Sequence, residues 1–259
     1  MSSILFDIKD SVATITLNRP DKLNSFNREM ALLMQEKLDL CKEDKMIRCV
    51  VITGSGKAFS AGQDLAEVAD PNGPGMQRIL SEHYNPIITR IRELKKPVVA
   101  AINGVAAGAG ANIPLCCDVI VATKSASFIQ AFSKIGLIPD SGGTFFLPRL
   151  IGWQKASALM MMGDKITAEE ADKMGMLYKC IDDDKFTEEV DAIAKKNWQQ
   201  CQPWGWRTQK KALQWSSTHT IYEQLQNEDK LQQWAAATKD FKEGVASFLE
   251  KRPANFIGE

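Results

Sequence analysis

Apolar residues in the first half of the chain come in short unbroken runs separated by turn signals. Val12-Ala13-Thr14-Ile15-Thr16-Leu17 has strand composition and stops at Asn18-Arg19-Pro20, where a proline cannot continue a ladder. Cys49-Val50-Val51-Ile52-Thr53 and Pro97-Val98-Val99-Ala100-Ala101-Ile102 read as further strands, ending at Gly54-Ser55-Gly56 and Asn103-Gly104. Asp118-Val119-Ile120-Val121-Ala122 reads as another. Between the runs the period changes. Asn24-Ser25-Phe26-Asn27 is a helix entry, and Met30, Leu33, Met34, Lys37, Leu38 and Cys41 follow at helical spacing. Ile79 to Leu94 predicts a second amphipathic helix, with Leu80, Tyr84, Ile87, Ile88, Ile91 and Leu94 on its apolar stripe. Pro86 falls inside that stripe and predicts a kink or a break. Strands apolar on both faces must be covered on both sides, and helices between them imply parallel crossovers. The chain therefore reads as α/β, with a repeated strand–strand–helix rhythm and no exact sequence repeat.

The last third changes character. From about Lys195 come five of the six tryptophans, Trp198, Trp204, Trp206, Trp215 and Trp234, in a glutamine-rich, glycine-poor stretch. The expected organisation is a core over residues 1–194 and a helical appendage over 195–259. The appendage's bulky aromatics need more burial than a lone helix offers, and packing against a second subunit is one way to supply it.

Pro97 to Cys117 holds no charged side chain and is long enough to cross a bilayer. Asn103-Gly104, Gly108, Gly110, Asn112 and Pro114 interrupt it, so a buried strand, a glycine-rich turn and a buried helix explain it better. Lys+Arg and Asp+Glu number 32 each, giving a formal net charge of zero. That balance argues against nucleic acid or an anionic membrane as the partner. The opening Met1-Ser2-Ser3 lacks the start of a secretion signal, so a cytoplasmic location with free thiols is expected. Two isolated histidines and six scattered cysteines give no zinc-ligand spacing, and no metal is expected.

Candidate chemistry concentrates where strands end in small residues and polar groups. Ala58 to Leu65 and Asn103 to Asn112 each lead from a strand through a small-residue loop into a helix. Each can be a tight turn, or a helix N-terminus whose unpaired N–H groups stabilise an anionic oxygen; two such termini facing one point would form an oxyanion hole. Neither matches the glycine spacing of a dinucleotide-binding or Walker A loop. The third loop, Gly136 to Thr144, holds Asp140 between an apolar stretch and a helix start. Asp140 can be a helix N-cap, or a carboxylate raised in pKa by an apolar pocket and able to act as a base.

Taken in order, Asn18-Arg19-Pro20, Leu23-Asn24-Ser25, Phe59 to Leu65, Asn103 to Gly110, Cys117-Asp118 and Gly136 to Gly143 resemble the crotonase (enoyl-CoA hydratase/isomerase) superfamily. The resemblance runs essentially end to end. It implies a crotonase-type spiral of ββα units with a helical C-terminal trimerisation region, and hence a homotrimer or a dimer of trimers. It also implies an acyl-CoA thioester substrate, with coenzyme A part of that substrate and no separate cofactor. The thioester oxygen would be held by the backbone N–H groups of Ala61 and Ala109. Gly62, Gln63, Asp64, Leu65, Asn112, Phe132 and Lys251 are the positions it gives to substrate binding.

Two departures are informative. The family's hydratases carry two water-activating glutamates, and the matching positions hold Asn112 and Phe132. Asp140 remains, at a position that family isomerases use, and one base that takes a proton and returns it elsewhere suffices for isomerisation. Tyr84-Asn85-Pro86, Ala131-Phe132-Ser133-Lys134, Leu147-Pro148-Arg149 and Glu243-Gly244-Val245 look most like the branch that isomerises ring-epoxidised phenylacetyl-CoA to its oxepin. Aliphatic enoyl-CoA isomerases share the single-carboxylate logic. The remaining alternatives are a hydratase or a non-catalytic RNA-binding or scaffold member. Phe132 is either a wall of a dry acyl pocket or plain core, and Asn112 either meets the acyl group or ties down its helix. Lys251 and Arg252 either reach the CoA phosphates or are solvated. Asp64 reads as a helix start, Asp118 as structural, and neither His83 nor His219 as catalytic.

Overall fold

The structure, a computed structural model, describes residues 2–196 and 203–257. In chain order its strands are β1 (Ile4–Lys9), β2 (Val12–Leu17), β3 (Cys49–Gly54), β4 (Ala58–Ser60), β5 (Val98–Ile102), β6 (Val105–Ala107), β7 (Val119–Thr123), β8 (Ser127–Ile129), β9 (Lys165–Thr167) and β10 (Lys179–Ile181). The helices are α1 (Arg28–Glu43), α2 (Leu65–Ala69), α3 (Gly75–Arg78), α4 (Asn85–Glu93), α5 (Ala109–Leu115), α6 (Gly143–Ile151), α7 (Trp153–Met162), α8 (Ala168–Lys173), α9 (Phe186–Lys196), α10 (Pro203–Ser216), α11 (Ile221–Ala236) and α12 (Lys239–Glu250). One sheet runs β1-β2-β3-β5-β7-β10 and the other β4-β6-β8-β9. Each of β3, β5 and β7 is thus followed by a short strand in the second sheet, and the next helices carry the chain back. This is the expected ββα spiral.

The strands of the larger sheet from β2 onward are parallel, and both faces are covered. Val50, Ile52 and Ala100 join the main core with Met30, Met34 and Leu38 of α1. Cys49, Val51, Val99 and Val121 face the other way, against Phe186, Val190 and Ala194 of α9. Two-sided burial is why these strands read as unbroken apolar runs. Asn27 caps α1 as its position before the stripe suggests, its side chain accepting from the Met30 N–H at 3.0 Å.

The expected helix over Ile79–Leu94 is a π-helical stretch, Ile79–Tyr84, running into α4. Proline has no N–H, so the Glu82 carbonyl one turn before Pro86 lacks its helical donor. Gln35 of α1 supplies one instead, its Nε2 donating to the Glu82 oxygen at 2.7 Å. The apolar stretch 97–117 forms β5, β6 and the buried helix α5. Among the described residues no helix is long and apolar enough to cross a membrane.

In the last third α10 is pinned to the core. Lys210 Nζ meets Asp118 at 2.8 Å, and Gln214 Nε2 donates to the Arg92 carbonyl at 2.8 Å. Asp118 also accepts from the Val98 N–H at 2.9 Å, so its role is structural as expected. Trp206 is buried, whereas Trp215 and Trp234 are exposed. Trp198 and Cys201 lie outside the described residues, and the boundary expected at 194/195 falls within α9.

Candidate active site

The smaller sheet assembles the site. β4, β6 and β8 are parallel neighbours, so the loops leaving their C-terminal ends emerge side by side, where open α/β sheets bind ligands. The first loop is residues 61–64, the second 108 and the start of α5, and the third runs from Gln130 to Gly142. The three stretches that stand far apart in sequence therefore meet because three very short strands share a direction.

Backbone pairing decides which amides are free. The Ala61 N–H, expected to be an oxyanion donor, is already bonded to the Leu23 carbonyl at 2.9 Å. It cannot serve a ligand without breaking that bond. Gly62 and Asp64 straddle Phe26 in a parallel bridge: the Phe26 N–H donates to Gly62 O at 2.7 Å, and the Asp64 N–H donates to Phe26 O at 2.8 Å. In such a bridge the residue between has its own N–H turned to the opposite side. That residue is Gln63, and its N–H donates to no atom of the described residues. The Ala109 N–H, at the first position of α5, is likewise free, as the opening amides of any helix are. Gly62, at φ +88°, sits so close that a Cβ there would lie 2.7 Å from Ala107 O and 3.2 Å from Ala109 N. The two free donors, Gln63 and Ala109, are thus carried by touching backbones.

Asp140 is tied to the same helix. Asn112, one turn along α5 from Ala109, donates from Nδ2 to the Asp140 carbonyl at 2.9 Å and accepts from Gln130 Nε2 at 2.8 Å. Asn112 is fully buried with both ends engaged. It therefore ties α5 to the Asp140 loop. A Cβ at position 143 would sit 2.3 Å from Asn112 Nδ2, so this clip requires Gly143.

The N-cap reading of Asp140 is removed. Gly142 caps α6, and what reaches the Gly143 N–H is the Asp140 backbone carbonyl, at 2.8 Å. The half-buried carboxylate accepts one side-chain bond, from Ser141 Oγ at 2.8 Å. Burial pushes its pKa up, and the Ser141 hydroxyl and local backbone N–H only partly oppose this. Ser141 itself holds φ +52°, an uncommon conformation for a residue with a Cβ, as turns at functional sites often do. Phe132 is buried with its ring against Gly108, a Cβ at that glycine lying 3.9 Å from Cζ. It walls the start of α5.

The other expected residues divide. Asp64 caps α2 through the Ala66 N–H at 3.1 Å and pairs with Arg19 at 2.9 Å, leaving no role as an acid. Leu65 is exposed beside this loop. Lys251 closes α12 in a left-handed conformation, and its side chain is exposed; among the described residues no hydrogen bond or ion pair joins it to the three loops. His83 is buried with Nε2 3.1 Å from Arg28 Nη1, so that nitrogen accepts and the ring is neutral. His219 stacks on Trp215 at 3.6 Å. Burial pushes the Cys41 thiol up to about 12 and raises that of Cys49, and the hydrogen bond with Cys116, then burial, raises that of Cys117, so none of the three is a ready thiolate. Sequence reasoning missed Gln63 as a backbone donor, Gln130 and Ser141 as supports of Asp140, and Tyr84, whose hydroxyl donates to Gln63 Oε1 at 2.9 Å.

Residues 7–259 match the enoyl-CoA hydratase/isomerase family. The chain is 42% identical to the 1,2-epoxyphenylacetyl-CoA isomerase of Escherichia coli K12, over the whole of both chains. It is 39% identical to a probable enoyl-CoA hydratase of Rhodobacter capsulatus, covering 99% of this chain and 98% of that one. Among solved structures, an enoyl-CoA hydratase from Bacillus anthracis superimposes with a TM-score of 0.95 at 34% identity, covering 99% and 100% of the two chains.

Proposed function

Because the chain belongs to the enoyl-CoA hydratase/isomerase family, we propose that it isomerises an acyl-CoA thioester, with Asp140 as its one proton carrier. The observation that carries this reading is a partly desolvated carboxylate on a residue whose backbone is clipped to the helix that offers the Ala109 N–H, while buried Asn112 and Phe132 fill the places of the water-activating acids. Asp140 removes a proton from the carbon α to the thioester carbonyl. The C–H electron pair becomes an enolate, whose oxygen the Gln63 and Ala109 N–H groups receive. The pair then moves outward, and the γ carbon takes the proton back from Asp140. Formula and thioester are unchanged, and the carboxylate is regenerated.

In a β,γ-enoyl thioester this cycle brings the double bond into conjugation. In a ring-1,2-epoxyphenylacetyl-CoA the carbon–carbon bond shared by the two rings opens, the ring expands to the oxepin, and the same 1,3 proton shift fixes the conjugated product. The likeness to the E. coli epoxide isomerase favours the ring substrate. Aliphatic enoyl-CoA isomerisation is the second reading, and the shared proton path is what favours it. Hydration is disfavoured, because Phe132 and Asn112 leave no second group to activate water.

The test is a panel of the ring epoxide, a 3-enoyl-CoA and crotonyl-CoA in deuterated water, followed by ultraviolet spectra and NMR. The expected result is α-deuteration and conjugated product from the first two, fastest from the epoxide. Hydration of crotonyl-CoA should be slower by about 100-fold or more, the loss expected when a positioned acid–base group is missing. Fast hydration without isomerisation would reverse the assignment.

We also propose self-association through the C-terminal helices. Tyr222, Leu225 and Trp234 of α11 and Phe248 and Leu249 of α12 are each more than half exposed on a single chain, a large apolar area for a soluble protein. A second copy of the chain is the occupant a homotrimer supplies. Sedimentation equilibrium should return three copies, or six for a dimer of trimers; a monomer at micromolar concentration would rule this out.

A further inference from the structure

We propose that Tyr84 is a positioning residue for the Gln63 N–H, acting through the Gln63 side chain. The inference rests on the reading of Gln63 and Ala109 as the oxyanion donors. Gln63 is held from three directions. Phe26 fixes the peptides on either side of it, as described above. Its side chain is anchored at both ends, with Nε2 donating to Glu67 Oε2 at 2.9 Å and Oε1 accepting from the Tyr84 hydroxyl at 2.9 Å. Glu67 is in turn fixed through Oε1, which accepts from the Arg28 N–H at 2.8 Å.

Tyr84 suits this task because it cannot move. Its ring is completely buried and packs on Phe26 at 5.9 Å between centroids, so one aromatic pair couples the clamp on the Gln63 backbone to the clamp on its side chain. The tyrosine closes the π-helical stretch, where Asn85 N donates to Leu80 O five residues back. The extra residue in that turn sets the direction in which Tyr84 projects, a device that recurs beside functional sites. Burial first, then the charges of Asp140 and Glu67, keep the phenol protonated, so it remains a donor to Gln63. A core tyrosine would need a hydrogen-bond partner of any kind. Here the partner is the side chain of the residue whose amide is aimed at the thioester oxygen.

The experiment compares wild type, Tyr84→Phe, Gln63→Ala and the double variant in two readouts. One is turnover, split into kcat and KM. The other is the infrared stretch of a 13C-labelled thioester carbonyl in bound phenylacetyl-CoA. Wild type should draw that band to lower wavenumber than in solution. Tyr84→Phe keeps the ring and its packing, and should lose part of the shift and about tenfold in kcat with KM changed less than about twofold. Gln63→Ala should show the same loss, and adding Tyr84→Phe to it should do nothing further. A wild-type band position in Tyr84→Phe, or losses that multiply in the double variant, would overturn the inference while leaving the isomerase reading intact. A wild-type protein that leaves the band at its solution position would overturn both.

Discussion

Asp140→Asn should lower kcat by about 10³-fold, within the range a positioned acid–base group contributes, and should raise the melting temperature at neutral pH. The loss follows from its place as the one proton carrier in the proposed cycle, since an amide can neither remove nor return the α proton. The rise follows from burial. The fold raises the pKa of Asp140 above its unfolded value, so the native state favours the protonated acid. Its stabilising contribution is complete below the unfolded value and is lost as pH rises through the folded one. At neutral pH the wild type thus carries an ionised carboxylate in a desolvated site, and the neutral amide does not. The gain should vanish in acid, where both side chains are neutral. Calorimetry at several pH values checks this: a variant less stable than wild type at pH 7 would mean that the carboxylate is not desolvated.

The same pKa direction fixes the pH profile. The base must be ionised to work, so kcat/KM should fall as pH drops through the raised pKa, with an acid limb above that of an ordinary aspartate. Ser141→Ala removes the hydroxyl bond that holds the carboxylate down and should move that limb further up. Two measurements of different kinds, thermal and kinetic, thus report on one desolvated oxygen pair.

The larger sheet was legible because burial on two faces writes itself as an apolar run. Val50, Val51 and Ile52 need no context to be read as a strand. β1 was not legible: Leu5 and Ile8 are exposed, and its hairpin turns at Asp10 and Ser11, both at positive φ, rather than at the Asn-Gly pair that marks such turns. The short strands β4, β6 and β8, which place the site, are three residues each and carry no period. Their loops could be ordered by resemblance, but their faces could not.

The donor assignment shows where that limit lies. Ala61 and Gln63 flank Gly62, and nothing local says which of their amides is free. The bridge to Phe26 and the bond from Ala61 to Leu23 decide it, and both come from a segment distant in sequence. Asp140 was the opposite case. The sequence left it open between a cap and a base, and one local fact, Gly142 at the cap, removes the first option. Tyr84 lay hidden in plain view on an apolar stripe, because a buried hydroxyl is indistinguishable in sequence from a buried ring.

Gly62→Ala should cost about 10²–10³-fold in kcat, the loss seen when an oxyanion donor is removed, and it should lower the melting temperature. Gly62 holds φ +88°, a region that an L side chain occupies only with strain, and its new Cβ would be 2.7 Å from the Ala107 oxygen. Relief requires the two loops to part, and the Gln63 and Ala109 amides ride on those loops. The base is untouched, so the acid limb of the pH profile should stay where the wild type has it. Asp140→Asn and Gly62→Ala are thus alike in turnover and opposite in stability: one removes a desolvated charge, the other inserts a methyl group where backbone already is. Residual activity separates them further. With Asp140 present, slow α-proton exchange should persist in Gly62→Ala, because an acidified carbon with one weakened donor still loses its proton to a carboxylate. In Asp140→Asn the thioester oxygen remains held but exchange should fall with turnover. If exchange instead survived at the wild-type rate in Asp140→Asn, another group would be the base, whatever the fate of the Gly62 variant.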